Sequence, residues 1–556
     1  MPTTPDPQTT RTTRRRRTAL AAAAGALALA VIATVLVLTP SAPDSAPAPA
    51  PRPDADTGDP YTRPAEWGPH RPAIHLTPQQ HWKNDPQKPF FLDGLWHYYY
   101  LYNADYPSGN GTAWYHATSP DLVHWTDRGI AIEKYTNGLG DIWTGTAVVD
   151  STGSAGFGEG AVIAIVTQQS EGVQRQSLFV SHDGGYSFES FEGNPVMENP
   201  GVADFRDPRV FWDDDARRWV MVLAEHDRLG IYTSPDLRSW TYRSDVQTAG
   251  LGVLECPDLF PMSVDGDPDD VRWVLVAGAN GGAEGRTTGT VYWTGDWDGE
   301  TFTPDEEGHR WLDHGPDLYA TVTWDDPRDA AEERLAHRYA IGWLNNWAYA
   351  DRIPGDGWHG GSDSVVRRIA LSTREGNLQL TSTPLEQLEE LEGAAQTIDD
   401  TTVPAAGVRP LAEADADAYR LRFTVSDPDG GDDEIRVRVR VGSDGSFATV
   451  GYDFATGAAF IARGADAIAA DMPEVYARTS TAPVAPRDGQ VQFDVLVDVG
   501  SVEAFVNEGE ATLSMATTTA PAARGIAVEA PRGEVAVSQA AVTPLRVAGV
   551  ERLDGP

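Results

Sequence analysis

Three acids stand in short segments with unusual neighbours. Asp85 lies in HWKNDPQKP, Asp207 in DFRDPRVFW and Glu255 in LECPDLF. Proline directly follows the first two. It donates no backbone N–H to a ladder, and it biases the residue before it towards an extended conformation. That suits Asp85 to a strand edge or a blade mouth. A single Asp-Pro usually does no more than start a turn. As a set, the acids match the machinery of glycoside hydrolysis. One carboxylate attacks or stabilises the sugar cation, and the other protonates the departing oxygen. A neighbouring anion raises the acid's pKa and keeps it protonated near neutral pH. Trp82, Trp96, Trp114, Trp143 and Tyr319 lie near these segments. Their rings suit either sugar stacking or core packing.

The acids are far apart in the chain, so they converge only if separate units deliver them to one central channel. A repeat supplies such units. Thr118 to Thr126 reads TSPDLVHWT, and Thr233 to Thr241 reads TSPDLRSWT. Looser echoes start at Ser181 (SHDGGYSFES) and Thr294 (TGDWDGETFT). A turn followed by an aromatic strand, recurring at roughly 50–65 residues, is a pattern of propeller blades. RWVMVLAE (Arg218 to Glu225) and RWVLVAGA (Arg272 to Ala279) read as strands. The stretch from about 70 to 380 has room for about five four-stranded blades. A β-sandwich with coincidental turns is the alternative.

All 17 tryptophans fall between Trp67 and Trp358, so the last part of the chain has a different core. Between the two parts, PLEQLEELEG (Pro384 to Gly393) predicts a linker helix. Thr383 would cap it, Pro384 would open it, and Leu385, Leu388 and Leu391 would share a face. Farther on, Ile435, Val437, Val439 and Val441 alternate with Arg436, Arg438 and Arg440. The pattern predicts a half-buried strand with arginines outward. Gln492 to Asp498 and Ser501 to Asn507 read as a hairpin. The expected fold is therefore all-β: an address and Pro/Ala linker (1–60), a five-bladed β-propeller (61–383), a linker helix (384–393) and a C-terminal β-sandwich (394–556).

Composition narrows the setting. The 556 residues carry a net charge of −39 and one cysteine, Cys256. The acid excess argues against nucleic acid or an anionic membrane as partner. A single cysteine forbids an intrachain disulfide. Lys83, Lys88 and Lys134 are the only lysines. Arg11 and Arg14 to Arg17 precede a mostly apolar run, Ala19 to Leu38. A basic head followed by an apolar run is export-signal architecture, and the run is also long enough to span a bilayer. Either as a cleaved signal or as a retained anchor, it would leave the bulk of the chain outside the cell.

HWKNDPQ resembles the WMNDPNG signature of glycoside hydrolase family 32, the fructan hydrolases and invertases. FRDP (Phe205 to Pro208) resembles its RDP motif, and ECPDLF (Glu255 to Phe260) its EC motif. WYHATSPDLVHW (from Trp114), WTGTAVVD (from Trp143), GNPV (from Gly193), IGWLNNWAYA (from Ile341) and SVEAFVN (from Ser501) are similar to further family segments, in order. The resemblance implies a five-bladed propeller, a β-sandwich and a retaining mechanism. Asp85 would be the nucleophile forming a fructosyl–enzyme intermediate, and Glu255 the acid/base. Asp207 would bind fructosyl hydroxyls and stabilise the transition state, with Arg206 holding the carboxylates. Asn84, Trp82, Trp114, Trp143, Thr144 and Tyr319 would contact substrate. No metal or cofactor is implied. Retention expects the Asp85 and Glu255 carboxyls roughly 5–5.5 Å apart. Cys256 reads as a packed neighbour of Glu255, because no histidine partner stands nearby in sequence.

The chain departs from the family pattern at Lys83, Gln87, Lys88, Leu101, Thr144 and Thr146. WHGGSDSVVRRIAL (Trp358 to Leu371) follows the family's Trp-Arg-Gly…Pro-Arg-Glu pattern loosely. These changes spare the acids and bear on sugar preference. The DPQ-basic-Pro variant and the run from Tyr98 to Thr112 resemble the bacterial branch acting on levan, the β-2,6-linked fructan. The expectation is an exported levan hydrolase. Transfructosylation, levanbiose release, inulinase or invertase action, and a non-catalytic fructan-binding propeller stand as alternatives.

Overall fold

The computed structural model describes residues 68–107, 111–428, 430–431, 433–464 and 471–547. The arginine cluster, the apolar run Ala19 to Leu38 and the Pro/Ala linker lie outside the described residues. Among those described, no helix is long and apolar enough to cross a membrane.

Each echoed segment forms the turn between the third and fourth strands of a blade, and one aspartate folds each turn. Asp121 accepts the backbone N–H groups of Val123 and His124 at 2.9 and 2.8 Å. Asp236 accepts those of Arg238 and Ser239 at 3.0 and 2.8 Å. Asp183 does the same for Tyr186 and Ser187, and Asp298 for Glu300 and Thr301. A short carboxylate that satisfies successive backbone donors makes a tight turn self-contained. That is the physical content of the repeat.

Five blades follow. Their inner strands are His81–Leu92, Asp141–Asp150, Phe205–Asp213, Leu254–Val264 and Tyr319–Trp324. Three more antiparallel strands complete each blade outward. In blade 3 these are Arg218–Glu225, Arg228–Ser234 and Thr241–Gln247. Inner strands of adjacent blades pack side by side, and that of blade 5 meets that of blade 1. Two short pieces staple this closure. Trp358–His359, leaving blade 5, pairs in parallel with His81 and Trp82 of blade 1. Lys83 reaches Asp363 at 2.6 Å, both fully buried, with its ammonium over the Tyr100 ring at 4.3 Å. Lys83 is thus part of the closure and does not face substrate.

The C-terminal part is a two-sheet sandwich. One sheet is built around Val535–Pro544, Tyr419–Ser426, Gln490–Asp498 and Ser501–Val506; the other around Gly525–Arg532, Glu434–Val441 and Ala448–Asp453. Ile435, Val437 and Val439 point between the sheets as expected. Arg440 does not point outward. A register shift between Arg438 and Val441, with φ of 50° at Arg440, turns its side chain inward. There the guanidinium donates to Thr519 Oγ1 at 2.8 Å and to the carbonyls of Ala520 and Pro521 at 3.0 and 2.9 Å. Strict alternation cannot foresee a bulge, which flips every following side chain.

The linker also differs from expectation. Thr383 and Pro384 end the strand Asn377–Pro384, and a 3-10 helix runs over Glu386–Leu391 without a side-chain cap. Leu385, Leu388 and Leu391 are all buried. A spacing of three eclipses side chains in a helix of three residues per turn, so the leucine pattern fits the 3-10 form better than the α form.

The two parts are joined by buried charge. His75, just before blade 1, bonds Asp498 through Nδ1 at 2.9 Å and Glu503 through Nε2 at 2.8 Å; all three side chains are fully buried. Asp498 also accepts the N–H groups of Ala73 and Ile74 at 2.8 and 2.9 Å. Glu503 accepts the N–H of Val365 at 3.0 Å and pairs with Arg367, which reaches Asp313 at 2.9 Å. Blade 1, blade 5 and the loop before blade 5 therefore share one sandwich hairpin.

Burial alone would lower the His75 pKa. Hydrogen bonds and charge from Asp498 and Glu503 prevail and raise it from 6.5 to about 9. A folded-state pKa above the unfolded value makes this contribution complete below 6.5 and removes it as pH rises through about 9. The melting temperature is expected to fall across that window. His75→Gln should lower it overall and flatten the dependence; calorimetry over the window checks both. Glu503→Gln breaks a buried pair and should destabilise by about 3–5 kcal/mol in denaturant titration.

Candidate active site

The inner strand of every blade is irregular at the residue it sends to the channel. The pairing slips around Asp85 (between Lys83 and Pro86), around Thr144 (between Ile142 and Gly145), after Glu255 (before Asp258) and after Tyr319 (before Val322). In blade 3 it slips opposite Asp207, between the partners of Arg206 and Arg209. A bulge re-aims a side chain that regular pleating would send into the sheet stack. Asp207, Cys256 and Ala320 have φ of 63°, 46° and 49°. Asp207 therefore departs from the extended conformation its following proline favours. Such backbone is held only where its surroundings enforce it. Here Thr167 Oγ1 accepts the Asp207 N–H at 2.9 Å. Gln87 bridges two bulges, donating to the Asp85 carbonyl at 3.0 Å and accepting the Gly145 N–H at 2.8 Å.

The side chains so aimed meet one another. Asp85 accepts Asn84 Nδ2 on Oδ1 at 3.1 Å and the Thr144 hydroxyl on Oδ2 at 2.7 Å. Glu255 Oε1 accepts Arg206 Nε and Nη2 at 3.1 and 3.0 Å, and Oε2 accepts the Tyr319 hydroxyl. Arg206 Nη1 donates to Asp204, and Arg206 Nε lies 4.0 Å from Asp207. Asp207 Oδ2 accepts the Cys256 N–H at 3.0 Å. The Cys256 Sγ lies 3.9 Å from Asp85 and 3.7 Å from Asp207. Acids from blades 1, 3 and 4, a hydroxyl from blade 2 and a phenol from blade 5 thus form one cluster.

The cluster is electrostatically tense. Desolvation, then the charge of Glu255, raises the Asp85 pKa. Desolvation also raises Asp207, to about 7; Arg206 opposes the rise, and Glu255 and Asp85 add to it. Burial and the three carboxylates push the Cys256 thiol well up. A nucleophilic thiolate needs the opposite surroundings.

The aromatic candidates divide. Trp82 is half-buried, donates to Asn84 Oδ1 at 3.0 Å and packs on the Cys256, Tyr319 and Trp343 cluster. Trp143 is half-buried at the blade 2 bulge and donates to Asp141 at 2.7 Å. Trp96 and Trp114 are core residues, 1% and 0% exposed, and offer no face to a ligand. Trp114 instead braces the site by donating to the Trp143 carbonyl at 3.0 Å. Tyr319 is also buried, and its hydroxyl, rather than its ring, serves the site.

Sequence reasoning missed three residues here. Asp204 shares Arg206 with Glu255. Tyr106 and the exposed Trp347 flank Trp82, with ring centroids 5.0 and 6.2 Å away. IGWLNNWAYA marked the Trp347 segment without telling which tryptophan would face outward. Among the described residues, no three or more His, Cys, Asp or Glu side chains are arranged to hold a metal ion.

Residues 75–384 match the family described as Glycosyl hydrolases family 32 N-terminal domain, and residues 386–544 match Glycosyl hydrolases family 32 C terminal. A levanbiose-producing levanase of Bacillus subtilis (strain 168) is 42% identical over 482 residues, covering 84% of this chain and 89% of the relative. One from Geobacillus stearothermophilus is 44% identical over 389 residues, covering 67% and 95%. The crystal structure of exo-inulinase from Aspergillus awamori superimposes with a TM-score of 0.77 at 26% identity, covering 86% and 99% of the two chains. The motifs, the propeller–sandwich architecture and these matches agree: the chain belongs to glycosyl hydrolase family 32.

Proposed function

We propose that the protein is a retaining fructan hydrolase that cleaves levan and releases levanbiose. Asp85 is the nucleophile, Glu255 the acid/base, and Asp207 binds and stabilises the fructosyl unit. The observation that carries this reading is the meeting of three carboxylates from three blades in one cluster, with Arg206 bonded to Glu255 and near Asp207 and with Cys256 Sγ between Asp85 and Asp207.

Asn84 and Thr144 hold different oxygens of Asp85, which aims the carboxylate. It attacks the anomeric carbon while the glycosidic oxygen leaves. Two Arg206 N–H groups occupy Glu255 Oε1, so the transferable proton belongs on Oε2, beside the Tyr319 hydroxyl. Glu255 gives that proton to the leaving oxygen. It then takes one from a water, which attacks the same carbon and frees Asp85. Asp207 makes no proton transfer in this scheme. Its place between Arg206 and Cys256 suits it to the hydroxyls and developing positive charge of the fructosyl ring.

Levan as substrate rests on the two levanbiose-producing relatives and on the run Tyr98 to Thr112. Half-buried Trp82 and exposed Trp347, stacked with ring centroids 6.2 Å apart, offer aromatic faces to further sugar rings of a polymer. Action outside the cell is supported by the arginine cluster with its apolar run, and by the exo-inulinases of Aspergillus named as extracellular.

Asp85→Ala should abolish sugar release, and Glu255→Gln should slow levan turnover by about 10²–10⁴-fold. Undiminished release by either variant would refute the assignment. Chromatography of levan digests should show levanbiose as main product; free fructose alone would defeat the disaccharide reading, and a non-reducing cyclic product would show transfer. Asp207 gives a pH test. Its folded pKa of about 7 exceeds the ordinary 3.8, so the folded state holds this proton more tightly and loses stability as pH rises through that interval. Asp207→Asn should inactivate the enzyme yet raise its melting temperature at pH 8 more than at pH 4. Equal shifts at both would contradict the raised pKa.

A further inference from the structure

Blade 3 carries a chain of contacts from the proposed acid/base to the protein surface, and its last member has no part in the scheme above. His226 opens the two-residue turn between Arg218–Glu225 and Arg228–Ser234. It adopts φ of 66°, a glycine-like conformation. The side chain is 52% exposed, and its Nδ1 lies 2.7 Å from Asp204 Oδ2. Asp204 Oδ1 accepts Arg206 Nη1. The other two nitrogens of Arg206 bond Glu255 Oε1. The His226 carbonyl accepts the N–H of Leu254, the residue before Glu255, at 2.7 Å. The turn therefore touches Glu255 by two routes, one through side chains and one through backbone.

Donor roles follow from the charges. Hydrogen bonds from Arg206 and His226 hold the Asp204 pKa below its ordinary value. An ionised carboxylate only accepts, so His226 Nδ1 carries the hydrogen. Arg206 is then divided between two carboxylates, Asp204 and Glu255. Its planar fork fixes the angle at which Glu255 is presented. Asp204 is the far anchor of that fork, and His226 anchors Asp204.

We propose that His226 is a positioning residue that sets the orientation of Glu255 through Asp204 and Arg206. It does not touch the reacting atoms. This rests on the reading of Glu255 as the acid. The strained turn is part of the argument: glycine would suit the φ better, and only a side chain with a donor at this point reaches Asp204.

The test compares levan with p-nitrophenyl β-D-fructofuranoside, whose phenolate leaves without protonation. Measured as kcat/KM, which ends at formation of the fructosyl–enzyme, proton donation limits the first substrate and not the second; kcat also contains the water step, in which Glu255 acts as base for both. Three variants of the full chain are needed. Glu255→Gln tests the acid itself and should lose kcat/KM on levan far more than kcat/KM on the aryl fructoside. His226→Gly removes the donor while relieving the backbone, so its melting temperature should not fall. It should lose kcat/KM on levan by between about tenfold and about a hundredfold, with aryl-fructoside kcat/KM kept within about twofold. His226→Asn keeps a donor and tolerates the same φ, so it should restore most of the levan rate. If His226→Gly cleaves levan like the wild type, or loses both substrates equally, the proposal is overturned while Glu255 keeps its role. If Glu255→Gln itself shows no difference between the two substrates, the reading of the acid fails, and the proposal fails with it.

Discussion

Like charges in a dry place are the constraint that organises this molecule. Asp85 and Asp207 lie where desolvation already disfavours ionisation; the charge of Glu255 adds to this for both, and that of Asp85 adds to it for Asp207. In low dielectric such repulsion is several times stronger than in water. A flexible scaffold would relax by letting the acids part. Here they cannot part, because each is fixed by a bulge in a strand locked between neighbouring blades. Arg206 is the counterion of two of them, bonded to Glu255 and 4.0 Å from Asp207. The site is thus held by geometry against its own electrostatics.

Rigidity of the ring is in turn a matter of closure. A propeller opens most easily between its first and last blades. This one closes there with a short parallel pairing, the Lys83–Asp363 pair and the sandwich. The sandwich grips the ring at two points, the first at that seam and the second at the segment leading into blade 5. His75 joins Asp498 and Glu503 at one point; at the other, Arg463 meets Asp317 at 2.5 Å, with the N–H of Ala516 on the same Asp317 oxygen at 2.8 Å. Between these points an apolar layer carries Trp96, Tyr98, Leu385, Leu388, Phe505 and Leu545. Buried ion pairs add little net stability compared with apolar packing, but they tolerate no sliding. A sandwich docked this way serves the channel by fixing the register of blade 5 against blade 1.

The strands, the blade turns and the three acids were legible because local chemistry marks them. Asp121 and Asp236 sit in turns whose donors are their own neighbours, so the motif contains its own explanation. Asp85, Asp207 and Glu255 stood out by their prolines, their aromatic surroundings and their resemblance to known motifs. What stayed hidden depends on partners distant in the chain. Arg440 reads as a surface arginine until the bulge turns it towards Thr519. Trp114 reads as a sugar platform until Tyr99 and the Trp143 carbonyl bury it. Lys83 reads as a basic flank of the nucleophile until Asp363, far along the chain, claims it. Asp204 carries no motif of its own and acquires meaning only through Arg206.

The scarcity of lysine has a chemical meaning once those positions are known. Lys83 is enclosed with Asp363, and Lys134 is 8% exposed and paired with Asp105 at 2.6 Å. Lys88, on the inner strand of blade 1, is partly covered. Arginine supplies nearly all the positive charge of the surface instead. The sugars freed by the proposed reaction are reducing ketoses, which condense with primary amines but far less readily with guanidinium groups. The folded protein thus presents almost no lysine amine with which such sugars could condense.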